Sequence, residues 1–335
     1  MDVHPSSADG PTPGRKPTIL DVAARAGVSK SLVSLALRGD SGVGATARTR
    51  ILRAADELGY RSNTLARALR ERRTMLIGVV ISSLDNPYHT EVVAAVEKAA
   101  DAAGLSVLLA HGSRDRGRLA ARVDALLDLN VDGLVVVSSW LDLTALQAAA
   151  RRTPVVMVGR SLHPVAGIDS VSNDDEFGAR LAVDHLVQCG RERILHVTSS
   201  TRPAGLARRA GYESAMRAHG LERFITVAAP TDMGSAMAAE PDAVFARNDV
   251  EAFEVLDFAW DRGIAVPGEL ALVGYDDSAL AVRARPRLTS VQQPREQMGE
   301  RAVQLLTQRL GGRSVDVHDV LTPTLAVRES SVPDS

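Results

Sequence analysis

Cysteine is almost missing from this 335-residue chain: Cys189 stands alone. That excludes an internal disulfide framework and any zinc finger or ribbon built on paired thiolates. Aromatic residues are scarce at 3%, and no apolar run approaches the roughly 20 residues that span a bilayer. The opening MDVHPSSADGPTPGRKP has none of the apolar core that a secretory signal needs, so a cytoplasmic chain with no membrane partner is expected. Residues 1–16, rich in Pro, Ser and Gly, read as a disordered tail.

A net basic excess is missing too, since 39 Lys and Arg face 41 Asp and Glu. The total hides a division. Residues 1–73 carry 13 Lys or Arg against 7 Asp or Glu, a balance of +6, while residues 74–335 carry 26 against 34, a balance of −8. A positive end can meet phosphate, and the negative body adds little to that. With 45% hydrophobic residues and 24% charged, the composition is that of an ordinary globular chain, long enough for a small head and a body of one or two domains.

What is present begins at Thr18–Leu37, TILDVAARAGVSKSLVSLAL. Ile19, Val22, Ala23 and Ala26 mark a short helix. Gly27 interrupts it, and Val28, Leu32, Val33, Ala36 and Leu37 mark a second helix that Ser29 is placed to cap. A helix, a tight turn and a helix, with Lys30, Ser31 and Ser34 near the start of the second and Arg25 and Arg38 close by, suit a major groove contacted by that helix's N-terminal end. Ala45–Leu58 reads as a third helix, ended by Gly59, whose Ile51, Leu52, Ala55 and Leu58 close a small core against Ile19, Val22 and Val33. Polar substitution at Val33 or Leu52 is expected to unfold it. This gives a helix-turn-helix DNA-binding domain over residues 17–61.

Residues 62–73 follow as hinge and linker. Ser62–Arg70 has helical spacing with too few apolar residues to be stable alone. It suits a hinge helix that orders on DNA, with Leu69 as a wedge between base steps and Arg67 beside phosphate; an ordinary linker with incidental leucines is the alternative.

From Met75 the period changes. Leu76–Ile81, Ser106–Ala110, Leu134–Val137, Val155–Val158, Ile194–Val197, Val244–Ala246 and Leu270–Val273 read as buried parallel strands, separated by helical stretches. The alternation predicts an α/β body with parallel sheets and right-handed crossovers, one large sheet or two smaller ones. A boundary near Gly159–Gly167 and a return at Pro286–Gln293 favour two lobes within residues 74–328. Lobe 1 is about 74–163 and 291–318, and lobe 2 about 164–290 and 319–328. Gln297–Leu310 reads as a closing helix and Val317–Leu325 as a late strand.

Ligands of open α/β sheets sit beyond the carboxyl ends of the strands. The polar residues there are Ser82, Ser83, Asp85 and Asn86; Ser138 and Trp140; Arg160; Asn248 and Asp249; and Asp276 and Asp277. Acids, amides, an Arg and a Trp suit a hydroxyl-rich small molecule, although any single one of them reads equally as a cap or loop residue. No metal spacing, nucleophile elbow or phosphate-binding glycine fingerprint accompanies His89, His111, His185 or His196, so no catalytic residue, metal or cofactor is expected. A sugar-binding protein without DNA is a further alternative, but it leaves the basic head without a purpose.

These residues carry a family resemblance. Asp21, Val22, Ala23, Ala26, Gly27, Val28, Ser29, Val33 and Ser34, then Thr49 to Tyr60 leading into Asn63, Ala66, Arg67 and Leu69, resemble the head and hinge of LacI/GalR transcriptional regulators. Ile77, Gly78 and Val79, Asn86 and Pro87, Asp132 and Gly133, Arg208 to Tyr212, Asn248 and Asp249, and Val273 to Asp277 extend the likeness to about Arg328. The resemblance implies a headpiece, a hinge helix and a two-lobed body like periplasmic binding proteins. It implies a homodimeric repressor bound to palindromic double-stranded operator DNA and controlled by a small sugar or sugar-like effector, hence nucleoid-associated when on DNA. By the same matching, DNA contacts fall on Thr18, Ser29, Lys30, Ser31, Ser34, Leu35, Asn63, Ala66, Arg67 and Leu69. Effector contacts fall on Arg208, Asn248, Asp276 and Gln293, with Arg160 a weaker match, beside Ser82, Asn86, Ser138 and Trp140 from the strand ends. Leu32 stands where Thr is common, Leu35 where Arg often meets DNA, Ser62 where Pro is common and Arg191 where His is usual.

Overall fold

The computed structural model describes residues 17–38, 40–60 and 73–332. The expected tail and nearly all of the expected hinge, with Asn63, Ala66, Arg67 and Leu69, lie outside the described residues. The chain divides into two units, residues 1–74 and 75–335.

In the first unit α1 (Ile19–Ala26), α2 (Lys30–Arg38) and α3 (Ala45–Glu57) enclose one small core. Thr18 and Asp21 start α1 with a reciprocal capping box: the Asp21 carboxylate accepts from the Thr18 backbone N–H at 2.7 Å, and Thr18 Oγ1 accepts from the Asp21 N–H. Gly27, at φ +63°, takes the left-handed conformation that ends α1. Ser29 Oγ accepts from the Leu32 N–H at 3.2 Å and caps α2. Val22, Ala26, Val33, Ala36, Ile51, Ala54 and Ala55 are buried together.

Leu52 departs from expectation, being 48% exposed. Ile51 takes the inward position, so the next residue turns about 100° away and the core is met again at Ala54 and Ala55. Val33→Asp is therefore expected to unfold the head, because a core this small supplies only about 3–5 kcal/mol, whereas Leu52→Asp should leave it folded. Amide exchange across α1–α3, rising to unfolded rates in the first variant alone, checks this.

The second unit holds two six-stranded sheets. The first contains β1 (Leu76–Ile81), β2 (Ser106–His111), β3 (Gly133–Val137), β4 (Val155–Val158), β5 (Ile168–Asn173) and β11 (His318–Leu321), in the order β11-β5-β4-β3-β1-β2. The second contains β6 (Ile194–Val197), β7 (Thr226–Ala228), β8 (Ala243–Ala246), β9 (Ala271–Asp276), β10 (Thr289–Gln292) and β12 (Thr324–Ala326), in the order β12-β10-β9-β8-β6-β7. Every pairing is parallel except β10 with β12. Around the first sheet run α4 (Pro87–Ala102), α5 (Arg116–Asp128) and α6 (Leu143–Ala150). With the second go α7 (Asp175–Gln188), α8 (Pro203–Ala218), the short α9 (Met233–Ala236), α10 (Asp249–Arg262) and α11 (Ala279–Arg283). The final helix, α12 (Arg295–Leu310), returns to the first sheet, where Met298, Ala302, Leu305 and Leu306 join Val92, Val96 and Val135 in one core.

The chain thus passes between the sheets three times: after Asn173, between Gln292 and Arg295, and between Leu321 and Thr324. The first passage lies about ten residues later than the expected 163/164 boundary. Its strand, IDSVSN, owes its place to pairing with β4 and β11 rather than to an apolar run. For the same reason β7 and β10 are not evident from apolar content. The single late strand expected over Val317–Leu325 is two strands in different sheets. β2, expected to be buried, is a half-exposed edge strand because only β1 pairs with it. Asp169, fully buried on β5, accepts from Arg309 and Arg313 and from the Val317 N–H at 2.8 Å. Burial opposes its charge, but these donors hold its pKa down at about 2, which fastens α12 and the approach to β11 to the first sheet.

Candidate functional site

Parallel strands deliver their carboxyl ends to one side of each sheet, and in the body both sets of ends face a common cavity of about 570 Å³. From the first lobe come Ser82 after β1, Asn86 capping α4, Ser138 and Trp140 after β3, and Arg160 after β4. From the second come Arg208 on α8, Asn248 capping α10, Asp276 ending β9 and Gln293 after β10. All nine residues expected at an effector site line this one cavity. The other strand-end candidates do not. Ser83 bonds Asp85, which pairs with Arg114 at 2.9 Å. Asp249 accepts from the Ser278 N–H and hydroxyl and from Ser290, at 2.6–2.8 Å. Asp277 pairs with Arg328 at 2.6 Å.

Arg208 is the buried cation of the lining. Its Nε donates to Asp175 Oδ1 at 2.9 Å and its Nη1 to the Arg247 carbonyl at 2.7 Å; Nη1 lies 3.6 Å from Asp276 Oδ1, and the guanidinium sits 3.6 Å over the Tyr275 ring. Burial opposes this charge, yet the two carboxylates hold it firmly protonated. Gln293 Nε2 donates to Asp276 Oδ1 at 2.6 Å. Burial raises the Asp276 pKa, against Arg208 and Gln293, which favour its charged form. Asp276 and Asp277 have φ of +100° and +49°, a strained turn at the strand end of the kind that persists where surrounding contacts over-determine it.

Across the cavity, Ser82 Oγ donates to Ser138 Oγ at 2.9 Å, and Ser138 Oγ accepts from the Trp140 N–H at 3.1 Å. Asn86 and Asn248 spend their carbonyl oxygens capping α4 and α10, which leaves their amide N–H₂ groups as donors. The site thus combines fixed acceptors, fixed donors and one deep cation, suited to binding a polar molecule by directional hydrogen bonds.

Other lining residues were not legible as such. Asn173 ends β5, a strand the apolar pattern concealed; its Nδ2 donates to Tyr275 Oη at 2.6 Å. Asp175 and Glu251 occupy first turns of helices, where they read as dipole-favouring acids. His89 bonds the Ser83 carbonyl through Nδ1 at 3.0 Å, so Nδ1 carries the proton and Nε2 is an acceptor; burial lowers its pKa. Arg114, Arg202 and Arg247 also line the cavity, and the chain position after β6 was the available signal for Arg202. Besides Asn173 with Tyr275, contacts that join the lobes include the Arg202 guanidinium 3.7 Å over the Trp140 ring, Arg160 paired with Glu176 at 2.8 Å, Glu91 accepting from the Ala279 N–H at 2.9 Å, and Arg295 donating to the Asp277 carbonyl at 2.7 Å.

In the head, Lys30 and Ser31 are exposed at the start of α2, while Ser34 and Leu35 are half-buried, Leu35 against the head core. Thr18 and Ser29 serve as caps. Among the described residues no group of His, Cys, Asp or Glu is placed to hold a metal ion, and no helix is long and apolar enough to cross a membrane.

Residues 18–63 match the family model for bacterial regulatory proteins of the lacI family, and residues 183–331 match that for a periplasmic binding protein-like domain. The chain is 34% identical to the HTH-type transcriptional regulator CelR of Thermobifida fusca, over 94% of this chain and 98% of that one. Among solved structures, the lac repressor dimer bound to operator and the anti-inducer ONPF superposes with a TM-score of 0.83 at 27% identity, covering 95% of this chain and 100% of that one. A CelR–cellobiose complex gives 0.67 at 31% identity, covering 94% and 99%. The chain belongs to the lacI family of bacterial regulatory proteins.

Proposed function

We propose that this chain is a homodimeric, cytoplasmic repressor, nucleoid-associated when bound, whose affinity for a palindromic operator is set by a small sugar in the cavity between its lobes. One observation carries the reading: nine polar or aromatic side chains from eight separate strand ends and helices surround a single cavity. Such a ligand touches both lobes. It therefore favours one arrangement of them, and the same preference reaches DNA through whatever the lobes position. An inducer binds the low-affinity arrangement better, and a corepressor the reverse.

On the DNA side, Lys30 and Ser31 meet the major groove, with Leu35 against a thymine methyl or in packing, and Thr18, Ser29 and Ser34 lie near the backbone. Asn63, Ala66, Arg67 and Leu69 form the hinge contacts, Leu69 entering the minor groove.

Operator selection from random duplex DNA followed by binding in the presence of individual sugars tests this. The expected result is salt-sensitive binding to a two-fold site that an effector changes by roughly tenfold or more. Asp276→Asn is expected to weaken the sugar response while leaving sugar-free operator binding intact. Binding no stronger than to random DNA, with and without sugars, sinks the proposal.

A further inference from the structure

The cavity's cations are not equivalent. Arg208 is held by Asp175 and Asp276, Arg247 pairs with Glu251 at 2.6 Å, Arg160 with Glu176 and Arg114 with Asp85. Arg202 differs: among the described residues it has no carboxylate partner, and its side chain's contact is the Trp140 ring from the opposite lobe. A ring face accommodates the charge but none of the guanidinium's N–H donors. Its surroundings are cationic as well. Burial and the nearby Arg116 lower its pKa, the direction expected of a guanidinium lacking an anion. Glu254, a lining acid without a hydrogen-bonded partner among the described residues, has its pKa raised by burial and by Glu251.

Building on the effector reading above, we propose that the effector is an anionic sugar, bearing a carboxylate or a phosphate, and that Arg202 receives the anionic group at the mouth of the cavity while the Arg208–Asp276–Asn248 end holds the hydroxyls. A planar fork of N–H donors matches either anion bidentately. Trp140 keeps the guanidinium in place from the other lobe, so engagement of the anion acts directly on a contact between the lobes. The positive end of the 16-residue helix α8, which Arg202 precedes and which has no side-chain cap, adds a favourable field.

The test exploits a chain with two tryptophans. Trp260 is 86% exposed, so Trp260→Phe leaves Trp140 as the fluorescent reporter beside Arg202. In that full-length background, glucose is compared with gluconate and with glucose 6-phosphate, and ribose with ribose 5-phosphate. The expected result is that at least one charged member changes Trp140 emission and binds roughly tenfold or more tightly than its neutral parent, as a charge-assisted bond should. The carboxylate and phosphate arms tell which anion is read. Arg202→Gln should bring the charged-to-neutral ratio to about one, and Arg202→Lys should restore part of the preference. Neutral parents that bind as tightly as the charged sugars, or a preference that survives in Arg202→Gln, overturn the proposal, as does a lack of binding by every charged member. A neutral sugar that shifts operator binding while Arg202→Gln changes nothing defeats this inference and leaves the effector reading standing; operator binding indifferent to every sugar defeats that reading itself.

Discussion

Arg208→Ala is expected to destabilise the body by about 3–5 kcal/mol, the usual cost of removing one partner of a buried ion pair. The guanidinium lies between Asp175 and Asp276 and donates to the Arg247 carbonyl, and these groups are buried. Its loss leaves Asp175 and the carbonyl without this donor, and both carboxylates without their cation, in a site that already raises the Asp276 pKa by burial. Without the cation that favours its charged form, Asp276 is then expected to bind a proton more readily still, and effector binding should vanish with the local geometry. Arg208→Lys keeps a charge but not the fork that reaches Asp175 and Arg247 together, so its loss should be intermediate. Urea unfolding of full-length protein, with the head followed separately by amide exchange, measures both. A cost below about 1 kcal/mol would mean that the carboxylates do not depend on this cation, because exposed or screened pairs fall in that range.

Acid should unfold the second lobe earlier than its surface charge predicts, because of His196. Its ring is fully buried on β6, stacked 4.8 Å from Phe245, with Nδ1–H donating to the Phe245 carbonyl at 2.9 Å. Burial lowers its pKa from 6.5 to about 4, and the charges of Arg208, Arg209 and Arg247 act in the same direction. The unfolded chain therefore binds this proton at higher pH than the folded one. The stability contribution is complete above pH 6.5 and is lost as pH falls from 6.5 through 4, amounting to about 3 kcal/mol at the lower end. His196→Gln, which retains a donor without titrating, should flatten that part of the stability profile. His89 and His185, whose pKa values burial also lowers, add to the residual slope in the same direction, whereas Asp249, whose pKa burial raises, opposes it. An unchanged slope in His196→Gln contradicts the assignment.

Much of this architecture was legible without coordinates, for local reasons. Apolar runs marked β1, β3, β4, β6, β8 and β9, since strands covered on both faces must be apolar throughout. β5, β7 and β10 were hidden because IDSVSN, TVA and TSVQ take their strand character from pairing, on both sides for β5 and β10 and with β6 alone for the edge strand β7. The candidate site followed the same division. Nine residues were found by their position after strands or by family likeness, whereas Asn173 was concealed with its strand. Asp249, Asp276 and Asp277 look alike as acids beside strand ends, yet Asp249 turns to Ser278 and Ser290, and Asp277 to Arg328. Leu52 shows the same limit in the head, where two adjacent apolar residues cannot both face one core.

By itself the amino-acid order determined what neighbouring residues can enforce: the capping box at Thr18, the left-handed turn at Gly27, the strand and helix alternation that puts polar loops at strand ends, and the basic head on an acidic body. The tertiary structure decided which sheet each strand joins across three passages, which acids neutralise Arg208, and that Arg202 meets a ring rather than a carboxylate. Those outcomes rest on contacts such as Arg208 with Asp175, 33 residues apart, and Asn173 with Tyr275, 102 apart. No local periodicity encodes such a pairing, because it depends on packing that forms only when distant parts of the chain are brought together.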